Sequence, residues 1–346
     1  MPSEIAKRPL GKTGLEVSTL GFGGAAVGNL YAAVDPADAL AALDAAWTAG
    51  IDYYDTAPFY GYGLSERRLG DFLRDKPREN FVLSSKIGRL LKPRLKPLRG
   101  FNPFPGAPPF KPVFDYTYDG VMRSFEDSLQ RLGLSRIDAL YIHDIGVSTH
   151  GPEKQPGLWK ICMESGYKAL VKLREEKTIG AIGIGVNDWQ ILLEAMDQGD
   201  FDCFLLAGRY TLLEQTAVEK LLPECQKRGV SIIIGGPYNS GILVTGAMAG
   251  ATYNYQPAPP DVLDKVRKIE GVCQSHGVSL AAAALQFPLA HPAVAGVIPG
   301  ARSRAEVEQN VALFHAPIPS DFWAELKSQG LLHGDAPTPT FQRQQS

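Results

Sequence analysis

The chain is short of the features that mark many specialised proteins. Only four cysteines occur in 346 residues, Cys162, Cys203, Cys225 and Cys273, with no CxxC pair and no metal-ligand spacing. That excludes a disulfide framework and a cysteine-based metal site, and fits reduced thiols in the cytoplasm. No metal ligand set is expected. No apolar run approaches the roughly 18 residues of a membrane-spanning helix, and "MPSEIAKRPLGKTG" carries no apolar signal core. No block of Lys or Arg stands out and the net charge is −2, so neither nucleic acid nor a membrane surface is an expected partner. A small molecule is. The oligomeric state leaves no mark in the sequence.

What is present is repetition of another kind. Eight short, continuously apolar runs recur: Ser18–Gly24, Ile51–Asp55, Phe81–Lys86, Ile137–His143, Ala181–Val186, Asp202–Ala207, Ser231–Gly236 and Ala295–Gly300. Continuous apolarity suits parallel strands covered on both faces. Helix-like segments separate them. "PADALAALDAAWTAG" follows Asp35, an N-cap residue type, carries Pro36 in its first turn and stops at Gly50. "YTYDGVMRSFEDSLQRLGL" puts Val121, Phe125, Leu129 and Leu132 on one stripe. Eight evenly spaced units predict an α/β fold of the closed (β/α)8 TIM-barrel type, one domain over residues 1–346. "LGKTGLEV" reads as an N-terminal β-hairpin within about residues 7–20 that closes the bottom of the barrel. Residues 335–346 read as a mobile tail. The Pro-rich Lys92–Phe114 is too long for an ordinary βα loop and is expected as a long loop on the C-terminal face, while the stretch Tyr255–Val262 reads as a connector.

"GFGGAA" at Gly21–Ala26 matches G-x-G-x-x-A, but a dinucleotide fingerprint needs a helix to open at its last small residue. Here the helix starts near Pro36. The glycines, Gly24 among them, are expected instead to let backbone approach a ligand at the first strand's end.

The strand ends carry the chemistry. Asp55, Lys86 and His143 close three successive strands, and Tyr60 lies five residues past Asp55. In a barrel such ends share one mouth, where catalytic groups gather. Each has an ordinary reading alone: Asp55 as a turn former, Lys86 as a surface lysine, His143 as a hydrogen-bonded structural residue, Tyr60 as a packing aromatic. Together they can move a proton on and off an alcohol oxygen. A phenol with an ordinary pKa near 10 is a poor base at neutral pH. An adjacent ammonium is expected to lower it, and about three units correspond to roughly 4 kcal/mol. Asp55 would keep Lys86 charged, and a neutral His143 would orient the substrate oxygen. Such a site needs a hydride acceptor.

From "LGKTGLEVSTLGFGG" to "VIPGARSRAEVEQN" the chain resembles the aldo-keto reductase superfamily, and "YDTAPFYGYGLSERRLG" resembles that family's Asp–Tyr signature. The resemblance implies a (β/α)8 barrel, hydride transfer with a nicotinamide dinucleotide without a metal, and Asp55, Tyr60, Lys86 and His143 as its catalytic four. "YIHDIGVSTHG" and the loop around "PFPGAPPF" are similar to the branch of aldose 1-dehydrogenases and their L-galactose and pyridoxal relatives. Those enzymes oxidise cyclic hemiacetals to lactones, here a sugar of the L-fucose, L-galactose or D-arabinose type. The competing readings are a pyridoxal dehydrogenase, an NADPH-dependent carbonyl reductase and a cofactor-sensing binding subunit. For the dinucleotide, the resemblance points to Asn187, to Pro237 and Gly241 along the pyrophosphate, and to Gly300, Arg302, Gln309 and Asn310 around the adenosine. The family's carboxamide-binding glutamine appears as Ala207 and its stacking aromatic as Gly235. Positions that meet a 2′-phosphate in NADP-preferring relatives appear as Gly300, Ala301 and Glu306; a carboxylate there repels phosphate and accepts a ribose hydroxyl, which favours NAD over NADP. Arg302 and Arg304 argue the other way. Phe101, Phe104, Phe110 and Phe114 either anchor the long loop or line the substrate pocket. Trp159, Tyr210 and Tyr238 are further pocket candidates.

Overall fold

The structure, a computed structural model, describes residues 4–95 and 102–340. Phe101 and residues 341–346 of the expected tail lie outside them. Fourteen strands are assigned among the described residues: β1 Lys7–Pro9, β2 Glu16–Ser18, β3 Phe22–Gly23, β4 Tyr53–Asp55, β5 Val82–Ile87, β6 Arg89–Pro93, β7 Phe110–Phe114, β8 Ala139–His143, β9 Ala181–Val186, β10 Cys203–Ala207, β11 Ser231–Gly235, β12 Thr252–Tyr253, β13 Gln256–Pro257 and β14 Val294–Ile298. Eight of them, β3-β4-β5-β8-β9-β10-β11-β14, form one parallel sheet. Bridges from Leu20 to Val297 and from Gly23 to Gly300 bring its two edges together. This is the (β/α)8 barrel that the eight apolar runs implied. The first strand is the shortest of the ring, because Ser18 is spent in the hairpin β1–β2 and Leu20 joins only by a bridge.

Helices form around the ring where the sequence signals place them. Asp35 caps Pro36–Thr48 by accepting from the Ala37 N–H at 2.8 Å. Thr117 caps Tyr118–Leu132, whose Val121, Phe125 and Leu132 are buried and whose chain leaves through Gly133 in the left-handed region. These faces pack onto the outside of the strands in one apolar layer.

Inside the ring a second, smaller cluster is built from Tyr53, Tyr141, Cys203, Leu205, Ile233 and Ile298, with Leu10 and Val17 of the hairpin closing the bottom. Large rings fit here because glycines face them. A Cβ on Gly183 would lie 2.5 Å from the Tyr141 ring, and one on Gly21 would lie 2.9 Å from the Tyr53 ring. Overpacking of that kind costs about 1–3 kcal/mol.

The lower rim repeats one device. Asp52, Asp138 and Asp202 each stand just before a barrel strand and accept a backbone N–H from the neighbouring chain, from Ser18 at 2.7 Å, Leu83 at 2.8 Å and Ile182 at 2.8 Å. Each carboxylate also meets a cation, Lys7 at 2.5 Å, Arg78 at 2.6 Å and Arg174 at 2.8 Å. A cavity of about 380 Å³ at this end is lined by Arg174, Arg228, Asp200 and Asp202. Its two arginines already pair with acids.

Two expected loops contain strands. β6 runs into the Pro-rich segment and pairs antiparallel with β7 at its end, with Pro93 opposite Phe110 and Pro112 opposite Leu91. A two-stranded ribbon is all edge, which is where proline is tolerated. The expected connector holds β13, paired with β12.

Candidate active site

The upper rim gathers the four residues picked out at strand ends. Lys86, at 1% exposure, lies inside the barrel beneath Tyr60. Gly185 opposite makes room for it: a Cβ there would already touch Lys86 Cε at 3.4 Å. The ammonium spends all three donors on Asp55 Oδ1 at 2.8 Å, Asp55 Oδ2 at 2.7 Å and the Thr56 carbonyl at 2.9 Å. Burial pulls the lysine down and Asp55 up, and each opposes that shift in the other. Full donor satisfaction supports the charged pair.

Tyr60 stands with its ring centroid 4.7 Å from Lys86 Nζ and edge-on to His143 at 5.9 Å. The expectation of a depressed phenol is corrected here. Burial, and then the Asp55 and Asp144 carboxylates, hold the Tyr60 hydroxyl well above its usual value. The lysine's donors are committed to Asp55 and Thr56, so what reaches the phenol is charge across the ring face, and Asp55 offsets that charge. His143 behaves as expected: burial, followed by Arg89 and Lys86, keeps it well below its usual pKa and therefore neutral. Its Nδ1 has no hydrogen-bond partner among the described residues.

The signature "SERRLG" is scaffolding for this rim. Ser65 Oγ donates to the Gly24 carbonyl at 2.7 Å and bonds Thr56 Oγ1 at 2.8 Å. Glu66, fully buried, accepts from Ser85 at 2.8 Å and Arg131 at 2.5 Å. Arg68 ties down the loop after β3 through the Val27 and Val34 carbonyls, both at 2.8 Å. Gly24 has a packing reason to be glycine that the sequence did not suggest. Its N–H bonds the Asp55 carbonyl at 2.8 Å, and a Cβ would lie 2.6 Å from that oxygen.

Several functional-looking residues escaped the sequence reading. Asp144, next to His143, holds a left-handed φ of 53°, and its Oδ2 lies 3.5 Å from His143 Nε2 and 2.6 Å from Arg89 Nη2. Phe59 packs edge-on to Phe104 at 5.2 Å and to His143 at 6.1 Å. Tyr255, in the loop after β11, meets Tyr31 from the loop after β3 at 6.3 Å, and its hydroxyl lies beside Asn187. Tyr31 and Tyr255 share a left-handed backbone, φ 66° and 64°. A non-glycine residue held there is often part of a site.

The expected pocket residues divide. Phe104 lines the mouth through Phe59 and Tyr62. Phe110 pairs with Pro93 at the far end of the β6–β7 ribbon from Arg89. Trp159 and Tyr210 are corrected: both belong to the outer core, Tyr210 against Phe287 and His291. An amphipathic ring fits a pocket wall and a core equally well, so composition alone does not sort them. Tyr238 bonds Asn310 Oδ1 at 2.7 Å, which bridges the loop after β11 to the helix Arg304–His315. Pro237 and Gly241 lie on that loop, and Gly241 has φ 99°. Asn187 stands at the top of β9 and donates to the Ala207 carbonyl at 2.9 Å. Gly300 faces Ala26, Arg302 precedes the helix, and Gln309 is exposed on it.

A (β/α)8 barrel with an ion pair, a phenol and a neutral imidazole at its C-terminal mouth defines a class, that of barrel oxidoreductases. The model of the Aldo/keto reductase family matches residues 19–330, and the chain belongs to that family. It is similar to pyridoxal 4-dehydrogenase of Microbacterium luteolum, 45% identical, with 94% of this chain and 98% of that protein covered. It is also similar to D-threo-aldose 1-dehydrogenase of a Pseudomonas species, 41% identical, covering 94% of this chain and 97% of that one. Among solved structures, an aldo-keto reductase from Bacillus halodurans in its holo form superposes with a TM-score of 0.72 at 25% identity, over 99% of both chains. The protein is thus an oxidoreductase of a family that uses a nicotinamide dinucleotide.

Proposed function

We propose that the chain is an NAD-preferring dehydrogenase that oxidises a cyclic hemiacetal to a lactone, with Tyr60 as general base. The observation that carries it is the stack of Asp55, Lys86 and Tyr60 beside a neutral His143. His143 holds the anomeric oxygen toward Tyr60. The phenolate takes the hydroxyl proton, the oxygen closes a C=O bond, and the hydrogen on that carbon leaves with its electron pair. The nicotinamide, when bound, accepts that hydride. The phenol then returns its proton to water. Asn187, the Pro237–Gly241 loop and the segment Gly300–Asn310 would hold the dinucleotide, since Tyr238 and Asn310 already join the last two.

The acids around the adenosine segment support NAD. Glu306 accepts from the Arg302 backbone N–H at 2.8 Å and pairs with its guanidinium at 3.3 Å. Arg304 pairs with Asp44 at 2.7 Å. A 2′-phosphate would have to displace carboxylates from both arginines, whereas a ribose hydroxyl would find an acceptor. Two substrate types fit the chemistry: an aldose of the L-fucose, L-galactose or D-arabinose type, and pyridoxal, which closes an internal hemiacetal. The 45% identity to a pyridoxal dehydrogenase and 41% to an aldose dehydrogenase support each in turn. The test is a panel of these four substrates with NAD and with NADP at alkaline pH, followed by cofactor reduction. Turnover with NAD at least tenfold more efficient than with NADP is expected, with Glu306→Ala narrowing the gap by about fivefold, the scale of one screened charge contact. Absence of reduced cofactor with every substrate would overturn the reading.

A further inference from the structure

Arg89 is the charged group at the mouth that proton transfer does not use. Gly88, at φ 99°, turns the chain off the end of β5, so Arg89 opens the β6 ribbon three residues after Lys86. The side chain is only 7% exposed. Nη2 donates to Asp144 at 2.6 Å. Two rings pack on the guanidinium, Phe59 with its centroid 3.9 Å and Phe114 with its centroid 4.7 Å from Cζ. Nη1 has no partner among the described residues. A desolvated cationic donor left unpaired is costly, and an acceptor on a molecule bound in the mouth would satisfy it.

We infer that Arg89 is a specificity-determining residue that donates through Nη1 to a second oxygen of the substrate. The inference rests on the hemiacetal reading above. The planar guanidinium donates only in its own plane, and the Phe59 and Phe114 rings packed on it hold that plane in place, which makes it a selective donor rather than a diffuse charge. Its position relative to the reacting oxygen is set by contact: Asp144 joins Arg89 to His143, and Phe59 precedes Tyr60 in the chain and packs on His143. The partner is therefore an acceptor close to the reacting carbon. In an aldose that is the hydroxyl on the adjoining carbon. In pyridoxal it is the ring phenolate oxygen, one carbon further. A site that reads this shared oxygen would take both substrate types and reject hemiacetals without it.

The test compares wild-type enzyme with Arg89→Lys on two matched pairs, L-galactose with its 2-deoxy analogue and pyridoxal with its 3-deoxy analogue. Wild type is expected to favour the oxygenated member of at least one pair by about 30-fold or more in kcat/KM, the range of a charge-assisted hydrogen bond. The pair that shows the preference identifies which oxygen is read. Arg89→Lys keeps the charge beside Asp144 but loses the fork, and is expected to bring the ratio within about threefold by slowing only the oxygenated member. The double variant Arg89→Met/Asp144→Asn, which removes the pair together, is expected to do the same. If the variants slow both members equally, or the wild-type ratio is already near one, Arg89 is structural and the inference fails alone. If wild type oxidises no hemiacetal, the functional reading fails and takes the inference with it.

Discussion

The two ends of the barrel treat buried charge in opposite ways. At the lower rim every acid that starts a strand is paid in full, with Asp52, Asp138 and Asp202 each taking a backbone N–H and a cation. At the upper rim the accounts stay open: His143 Nδ1 and Arg89 Nη1 are buried without partners among the described residues, and Asp144 holds a left-handed backbone, φ 53°. The same residue types occur at both ends. Arg78 Nε at the lower rim also lacks a partner among the described residues, so what differs is where the open groups sit: above, an imidazole nitrogen and a guanidinium nitrogen stand beside one phenol. This is the division of labour expected of the fold, with stability below and chemistry above.

Substitutions at the two ends should therefore give opposite signatures. The largest expected effect is at Tyr60. Tyr60→Phe removes the base and leaves the ring in place, so kcat should fall about a thousandfold, while the unfolding midpoint stays within about 2 °C, because the hydroxyl makes no hydrogen bond among the described residues. Activity above a tenth of the parent's would assign proton transfer to another group. Next is the mirror experiment at the bottom. Asp138→Asn leaves Arg78 and Arg136 without their anion and should lower stability by about 2 kcal/mol in chemical denaturation. Its kcat/KM should not change; a fall of tenfold or more would show that the ends are not independent.

The smallest effect is graded. Burial and Asp55 raise the Tyr60 phenol, so its basic form is scarce at neutral pH and gains up to tenfold with each pH unit below its pKa. Oxidation measured as kcat/KM should climb through about pH 9 without levelling. His143, pushed well down, is neutral throughout that range and should add no limb near its ordinary 6.5. A plateau by about pH 7 would contradict Tyr60 as the base.

The fold was more legible than the site. Barrel strands are apolar on both faces, so Ala181–Val186 and Ser231–Gly235 announce themselves in the sequence. β6 and β7 did not, because Pro93 and Pro112 read as loop residues and only pairing with each other makes them strand. Asp55, Lys86 and His143 were visible because a polar residue ending an apolar run is conspicuous. Arg89 and Asp144 lie just beyond those runs, where a charged residue is ordinary, and only the fold brings them together. The direction of the Tyr60 shift was misread for a related reason. The sequence showed that a lysine was present, but not how deeply the phenol is buried or that two carboxylates would act on it.

One feature gives the site depth. Beneath Asp55, hydrogen bonds descend the barrel axis from Ser84 at 2.7 Å to Tyr53 at 2.9 Å, Tyr141 at 3.1 Å and Cys203 at 3.5 Å, with Gly183 leaving room for the Tyr141 ring. A laboratory that diversifies only the rim of this enzyme would miss that plumb line. An added methyl at position 183 would meet the Cys203 carbonyl and the Tyr141 ring together, and Tyr141 is linked hydroxyl by hydroxyl to the carboxylate that steadies Lys86, so positions no substrate ever meets are worth varying too.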